Sequence, residues 1–293
     1  MLAMWSAWIL MGAWVAAPAP EIVRTLDVPY GDRPVRLRSL DLYAPSGAKN
    51  LPIMVYIHGG GWRAGDKRAV AEKPEFSIRQ GFLFVSLNYR LVPAVDIRTQ
   101  LQDSADGIGW LKKNVAQYGG DPAQIHLVGH SAGAHHVAVL ASQPSFLQKA
   151  GVELAQLKSA VVLDTQALDV PTLMQGNSNP IYQQAFGTDP AIWKQISPRH
   201  GLQQGQMHPP FLIVVADGRG PKLKQAEAFA EAVRKFGGRA EILEAPEHTH
   251  ASLNRSLGAP RDKVTQAVAR FLAAVRGESP RSGKGDSRAP AGV

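Results

Sequence analysis

The sequence predicts an α/β fold in which helices cover both faces of a mostly parallel central sheet. Apolar runs typical of buried strands alternate with runs typical of helices along most of the 293 residues. Two of the apolar runs pass directly into glycine-rich turns, which is common where a parallel strand ends. A chain of this length with 45% hydrophobic residues can bury a full core in one domain.

The expected elements follow one another in a regular order. The strands are expected at residues 35–43, 53–57, 83–88, 125–128, 160–163, 211–215 and 240–243, where Val, Ile and Leu are frequent. The helices are expected at residues 101–115, 134–142, 222–235 and 263–275, from apolar spacings of three and four or from runs without Gly or Pro. Gly119-Gly120-Asp121-Pro122 predicts a sharp turn after the first helix. Residues 169–208, rich in Gln, Pro and Asn, are the least regular part.

A serine lies between the expected strand 125–128 and the expected helix 134–142, within Gly129-His130-Ser131-Ala132-Gly133. Gly-x-Ser-x-Gly on a sharp turn from strand to helix is typical of a nucleophile elbow. A side chain at either glycine would collide with the neighbouring strand and helix, and a strained backbone would lift the serine hydroxyl clear of the sheet. The alternative is a glycine-rich loop whose serine only caps the helix.

A glycine run follows the expected strand 53–57, in His58-Gly59-Gly60-Gly61-Trp62. Three consecutive glycines leave backbone N–H groups uncovered, and such groups can stabilise an oxygen that gains charge during acyl transfer. A glycine hinge or a phosphate-binding loop is the alternative. Neither Gly-Lys-Ser/Thr nor Gly-x-Gly-x-x-Gly follows, so nucleotide binding is the less favoured interpretation.

With these motifs the chain resembles the α/β-hydrolase superfamily, and within it the serine esterases and lipases that carry an His-Gly-Gly-Gly loop. That group includes carboxylesterases and a branch similar to kynurenine formamidase. The resemblance covers residues 40–272 and implies the α/β-hydrolase fold. It also implies an oxyanion hole formed by the N–H groups of Gly60, Gly61 and Ala132, and a short, loop-rich lid over the site at residues 169–208.

The serine needs a general base, and in α/β-hydrolases the base follows the serine and the acid along the chain. His248 and His250 both lie after the last expected strand. The resemblance favours His250, because His-Ala-Ser-Leu-Asn-Arg-Ser-Leu-Gly matches the segment that begins at the catalytic histidine of relatives. His248 is the alternative.

The acid is expected at Asp217, the only carboxylate of the turn that follows the expected strand 211–215. A carboxylate there would hold the histidine tautomer and stabilise its cation. In some relatives the acid lies at a position that an arginine occupies here. Asp164 and Asp169, after the expected strand 160–163, are therefore the alternatives, and a helix cap is the structural explanation for Asp217.

Composition excludes several other classes of site. The chain has no cysteine, so disulfides, thiolate metal sites and a cysteine nucleophile are excluded. The net charge of +8 is spread along the chain without the basic stripe that nucleic-acid binding favours. No His-x-x-x-His with a carboxylate is present, so we expect neither a metal nor another cofactor.

The two ends differ in composition from the middle. Residues 1–20 form an apolar segment that is short for a membrane span and resembles a secretory signal, with Ala17-Pro18-Ala19 as the cleavage site, although no Lys or Arg precedes it. Export to the periplasm or the medium is therefore expected, and a cytoplasmic location if the segment is not a signal. Residues 21–276 are expected to form the hydrolase domain, and residues 277–293 a disordered tail.

Together these features predict a serine hydrolase that cleaves a small-molecule carboxylic ester through an acyl-enzyme. Two alternatives stay open: an arylformamidase acting on a formamide, and a catalytically inactive hydrolase fold that serves as a binding module. The sequence contains no indication of the oligomeric state.

Overall fold

The computed structural model describes residues 21–31 and 35–278, which build an eight-stranded sheet of order β1-β2-β4-β3-β5-β6-β7-β8. The strands are β1 (Ile22–Pro29), β2 (Ser39–Pro45), β3 (Leu51–Ile57), β4 (Leu83–Leu87), β5 (Gly120–His130), β6 (Leu157–Leu163), β7 (Phe211–Ala216) and β8 (Ala240–Ala245). The β1–β2 and β2–β4 pairs are antiparallel, and every other pair is parallel. The expected mostly parallel sheet is confirmed.

Helices connect most of the strands. They are α1 (Lys73–Arg79), α2 (Ile97–Asn114), α3 (Ala132–Ser142), α4 (Pro144–Lys149), α5 (Val170–Met174), α6 (Pro180–Phe186), α7 (Pro190–Gln195), α8 (Pro198–Gly201), α9 (Gly220–Lys235), α10 (His250–Ser256) and α11 (Lys263–Val275). Short 3-10 helices span Val115–Tyr118 and Leu154–Gln156. The turn expected after α2 is present, since Gly119 has φ 85°.

Two hydrophobic cores lie on opposite faces of the sheet. Because strand side chains alternate between faces, Val55 of β3 packs into the core that contains α2, α3 and α9, whereas Met54 packs into the core that contains α1 and α11. The apolar stripe of α2, which includes Leu101, Ile108 and Leu111, is fully buried in the first core. Helices therefore cover both faces, as the sequence predicts.

The first two strands differ from the expectation. The sequence does not predict β1, because most of its residues are exposed and its ladder to β2 is interrupted by a bulge between Thr25 and Val28. An edge strand that buries neither face lacks the apolar alternation by which strands are recognised. The expected strand 35–43 begins later, at Ser39, because Arg38 closes a turn by donating its backbone N–H to the carbonyl of Val35.

The segment between β6 and β7 is more helical than expected. The sequence predicts that residues 169–208 are loop-rich, but the structure places α5 to α8 there. Each of these short helices has a proline in its first turn. Proline is well suited to that position because its fixed φ matches a helix and its missing N–H would have no intrahelical partner.

The expected signal segment, residues 1–20, and residues 279–293 of the expected tail lie outside the described residues. Within residues 21–31 and 35–278, none of the helices has the length and apolar character needed to cross a membrane.

The turn from β5 to α3 brings two stretches of backbone into close contact. Ser131 has φ 57° and ψ −117°, a strained conformation for a residue with a side chain. A Cβ atom added to Gly133 would overlap the carbonyl groups of Ile57 and His58, and one added to Gly129 would overlap the carbonyl of Gly133. The collisions expected from the sequence are therefore confirmed, and both glycines are required sterically.

We predict that Gly133→Ala lowers the free energy of unfolding by about 3 kcal/mol or more, because the new methyl group must displace backbone. Gly47→Ala is the control: Gly47 has φ 72° and open space around its Cα, so its substitution carries only the conformational cost of about 1 kcal/mol. Urea unfolding of both variants measures the difference. Equal losses would contradict the steric explanation.

Candidate active site

The structure brings Ser131 and His250 into hydrogen-bond contact at the carboxyl edge of the sheet. Ser131 lies directly before α3, and its Oγ is 3.0 Å from Nε2 of His250, the first residue of α10. A reciprocal capping box fixes the start of α10: Thr249 accepts from the Ser252 N–H, and the Ser252 side chain accepts from the Thr249 N–H. The local sequence thus determines where the helix that carries His250 begins.

Contacts at the other end of α10 fasten it to the rest of the domain. Lys73 of α1 donates to the Asn254 carbonyl at 2.7 Å, and the Tyr56 hydroxyl of β3 donates to Oδ1 of Asn254 at 2.7 Å. Burial lowers the pKa of Lys73 to about 8. These bonds connect the helix that carries His250 to both α1 and the sheet.

Asp164, directly after β6, contacts the second nitrogen of His250. Its Oδ2 lies 2.5 Å from Nδ1 of His250, and its side chain is fully buried. Oδ1 accepts from the backbone N–H of Ala216 at 2.9 Å, and Nζ of Lys222 lies 2.9 Å from the carboxylate. Burial alone would raise the pKa of Asp164, but the hydrogen bonds and charges of His250 and Lys222 outweigh it and hold that pKa below its ordinary value.

The structure corrects the expectation that Asp217 contacts the base. Its side chain is 58% exposed and lies 3.7 Å from Lys222, and the contact with His250 belongs to Asp164 instead. The strand order does not separate the two aspartates, because β7 and not β6 is the direct neighbour of β8, which precedes His250. The difference lies in the side chains: that of Asp164 is fully buried against His250, whereas that of Asp217 lies mostly in solvent. Asp164 is one of the two alternatives that the sequence leaves open.

His248 and Asp169, the other two alternatives, form contacts with other residues. His248 lies 2.7 Å through Nε2 from Asp262, and its Nδ1 is 3.3 Å from the Ser252 hydroxyl. Asp169 caps α5 through the Thr172 N–H and pairs with Arg199 at 2.8 Å. Within the described residues, the hydrogen bond to Ser131 comes from His250 and the contact with His250 from Asp164, and neither alternative takes part.

The glycine-rich loop lies against the nucleophile. A Cβ atom added to Gly59 would come 3.0 Å from Cβ of Ser131, so the two backbones are nearly in contact. The N–H groups of Gly60 and Gly61 have no acceptor within the described part of the chain. Ala132 is the first residue of α3, where the N–H has no intrahelical partner. Gly60 and Gly61 line the same cavity as Ser131, and Ala132 follows Ser131 directly in the chain.

Buried side chains hold this loop in place. His58 donates from Nδ1 to the Gly59 carbonyl at 2.8 Å, its own carbonyl accepts from the Tyr89 hydroxyl at 3.0 Å, and the two rings stack. Gln100 of α2 donates to the Trp62 carbonyl at 2.7 Å. Together these bonds fix the backbone on both sides of the glycine run.

A second chain of bonds connects the loop to the segment between β6 and β7. The Trp62 indole donates to Nδ1 of His135 at 3.3 Å, and Nε2 of His135 donates to the Ile196 carbonyl at 2.8 Å. Because a carbonyl only accepts, His135 must carry its proton on Nε2 and is neutral. Trp62 also packs edge-on against Phe186 of α6. No local sequence signal predicts this connection.

A cavity of about 670 Å³ opens over these groups. Ser131, His250 and Asp164 line it together with the glycine loop, and an apolar side is formed by Trp62, Ile181 and Tyr182. Ile181 and Tyr182 belong to α6, so one side of the cavity is formed by the segment where the sequence predicts a lid. Within the described residues, no three His, Asp or Glu side chains come together in a way that could hold a metal ion.

The histidines around the nucleophile are held neutral. Burial lowers the pKa of His135 to about 4, and burial together with the nearby His250 lowers the pKa of His130 to about 4. Nε2 of His130 donates to the His250 carbonyl at 2.9 Å, and the two rings lie 4.5 Å apart. His130 therefore supports the backbone of the residue that contacts Ser131.

The chain has relatives among known proteins. The family model described as BD-FAE matches residues 40–218. A probable isoprenylcysteine alpha-carbonyl methylesterase ICME of Oryza sativa subsp. japonica is 27% identical over 259 residues, which cover 82% of this chain and 61% of that protein. Esterase LipQ of Mycobacterium tuberculosis is 27% identical over 280 residues, covering 89% of this chain and 65% of that protein. The chain thus spans less than two thirds of the length of these relatives.

The fold has a counterpart among solved structures. The apo form of Thermogutta terrifontis esterase 2 superimposes with a TM-score of 0.69 and 22% sequence identity, covering 91% of this chain and 98% of that chain. At 22% identity, this similarity supports a shared fold and nothing more specific. The architecture is the α/β-hydrolase fold, as the resemblance implied.

We predict that the free energy of unfolding falls as the pH drops from about 6.5 to about 4. Burial lowers the pKa of His126 to about 3, so below pH 6.5 the unfolded chain binds a proton at this position that the folded chain does not. Each such histidine contributes a slope of up to about 1.4 kcal/mol per pH unit, and His130 and His135 act in the same direction.

Denaturant unfolding of the wild type and His126→Asn at several pH values measures this slope. At pH 8 the variant is less stable, because it loses packing around a buried ring. Below pH 6.5 the gap between the two proteins should close by up to about 1.4 kcal/mol per pH unit. A gap that stays constant down to pH 4 would contradict the prediction.

Proposed function

The chain belongs to the BD-FAE family, and we propose that it is a serine hydrolase that cleaves carboxylic esters of small molecules through an acyl-enzyme. One observation carries the proposal: the hydrogen-bonded series Ser131–His250–Asp164, which opens into a cavity beside unpaired backbone N–H groups. The names of the relatives, a methylesterase and an esterase, support ester hydrolysis as the reaction.

In the first half of the reaction, Oγ of Ser131 attacks the ester carbonyl while Nε2 of His250 accepts its proton. The carbonyl oxygen becomes negative in the tetrahedral intermediate. The N–H groups of Gly60, Gly61 and Ala132 then donate to it, and removal of one such donor typically raises a barrier by about 3 kcal/mol. His250 gives its proton to the departing alcohol.

In the second half, water attacks the acyl group on Ser131 while His250 accepts a proton from it, and His250 then returns the proton to Oγ as the bond between Oγ and the acyl group breaks. Asp164 accepts from Nδ1 of His250 throughout, which keeps Nε2 free to receive a proton and stabilises the imidazolium that forms. Because the pKa of Asp164 is held below its ordinary value, the carboxylate is ionised at neutral pH, as this role requires. The residues of the site supply every group that these steps need.

We predict that Ser131→Ala and His250→Gln each lower kcat/KM for p-nitrophenyl acetate by about 10³-fold or more, since each removes a group that acts directly on the reacting atoms. His248→Gln is the matched control, because His248 is two residues away and pairs with Asp262. Its kcat/KM should stay within about threefold of the wild type. A wild type that hydrolyses neither p-nitrophenyl acetate nor butyrate, and does not react with a fluorophosphonate at Ser131, would refute the proposal.

The two aspartates of the site lead to a second prediction. Asp164→Asn should lower kcat by about 10²- to 10⁴-fold, because an amide at the position of Oδ2 no longer holds the reactive tautomer of His250. Asp217→Asn should change kcat by less than about threefold, because its side chain is mostly exposed. Steady-state kinetics with p-nitrophenyl acetate compares them. The reverse ranking would assign the acid to Asp217.

Substrate preference is measured by comparing esters with a formamide. We expect kcat/KM for p-nitrophenyl butyrate to exceed that for N-formylkynurenine, in accord with the esterase names of the relatives. Ser131→Ala serves as the control for background hydrolysis of both compounds. A large preference for N-formylkynurenine would replace ester cleavage with amide cleavage at the same site.

A further inference from the structure

A lysine lies directly behind the acid of the site. Lys222 is the third residue of α9, and its Nζ is 2.9 Å from the carboxylate of Asp164. Its side chain is only 16% exposed. The carboxylate of Asp217 is 3.7 Å away and mostly in solvent, so Asp164 is the principal partner of this cation.

The carboxylate of Asp164 has few other means of support. The backbone N–H of Ala216 donates a hydrogen bond to this carboxylate, and the backbone of Asp164 itself has φ 52°. A fully buried carboxylate is expensive unless it is paired and its oxygens are hydrogen-bonded. Lys222 supplies both the opposite charge and a donor that fixes the direction in which Oδ2 faces.

We infer that Lys222 is a positioning residue of this site, which orients the Asp164 carboxylate toward His250 and whose positive charge favours the neutral form of that imidazole. The inference rests on the proposed function and deepens it, because it concerns the pH at which the base is ready to act.

The charges around His250 determine in which direction the loss of Lys222 moves the acidic limb of the pH–rate profile. Asp164 faces its Nδ1 and favours the protonated ring, whereas Lys222 of α9 lies behind that carboxylate and opposes this attraction. His130 of β5 faces the other side, but its pKa of about 4 leaves it neutral where His250 acts. Lys73 of α1 lies farther off, bonded to Asn254. Removal of Lys222 therefore favours protonated His250, and the acidic limb of the pH–rate profile moves to higher pH.

The absence of cysteine makes a chemical test specific. Lys222→Cys introduces the only thiol of the chain, at a position that lines the open cavity. Alkylation with 2-bromoethylamine converts it to S-aminoethylcysteine, which has the length and charge of lysine. Alkylation with iodoacetamide produces a neutral side chain of similar size as the matched control.

We expect Lys222→Cys to lower the plateau of kcat/KM for p-nitrophenyl acetate about tenfold and to move the acidic limb up by about half to one pH unit. Aminoethylation should return both quantities most of the way to the wild type, and carbamidomethylation should return neither. Asp217→Asn should leave the limb in place, because Asp164 is the partner that matters.

If Lys222→Cys folds and its acidic limb lies at the same pH as that of the wild type, the inference is overturned, even if the plateau of kcat/KM falls. A purely structural role would lower activity without moving the limb. If Lys222→Cys does not fold, Lys222→Arg decides: it keeps the charge, and a limb displaced from the wild-type position would overturn the inference. The proposed function fails separately, when the wild type does not hydrolyse the ester. In that case, the acidic limb is measured from the pH dependence of fluorophosphonate labelling at Ser131.

Discussion

The close approach of the α3 backbone to the end of β3 is the constraint on which the rest of the site depends. Gly133 rests against the carbonyls of Ile57 and His58, with no room for a side chain. This contact brings the first turn of α3 beside the loop that leaves β3, so the nucleophile and the unpaired N–H groups share one small volume. Because β3, β5 and β6 are neighbours in the sheet, the loop, Ser131 and Asp164 emerge side by side.

The parts of the fold that the sequence predicts well are those with a local steric or periodic cause. The Gly-x-Ser-x-Gly turn needs small residues at fixed positions, and buried parallel strands are runs of Val, Ile and Leu. The position of Ser131 and the alternation of strands and helices follow from those causes. The exposed edge strand β1 has no such periodic signal because it buries neither face, and the helices α5 to α8, of four to seven residues, are too short to show one.

The sequence alone does not identify which aspartate contacts His250. Asp164 and Asp217 each follow a buried strand directly, and both have positive φ, 52° and 64°. Local sequence and local backbone therefore do not separate them. The separation comes from contacts between distant residues: Asp164 meets a histidine 86 positions away and a lysine 58 positions away. The arginine in the turn after β7, where some relatives carry the acid, is the one local hint that the carboxylate has another source.

The imidazole of His250 is open to solvent, unlike the carboxylate that it contacts. The side chain is 51% exposed, although its partner carboxylate is fully buried. For the proposed reaction, this exposure lets the hydrolytic water reach His250 directly from bulk solvent. In that reaction the same exposed face would be open to small alcohols as well as to water, so we expect added methanol to compete with water for the acyl group.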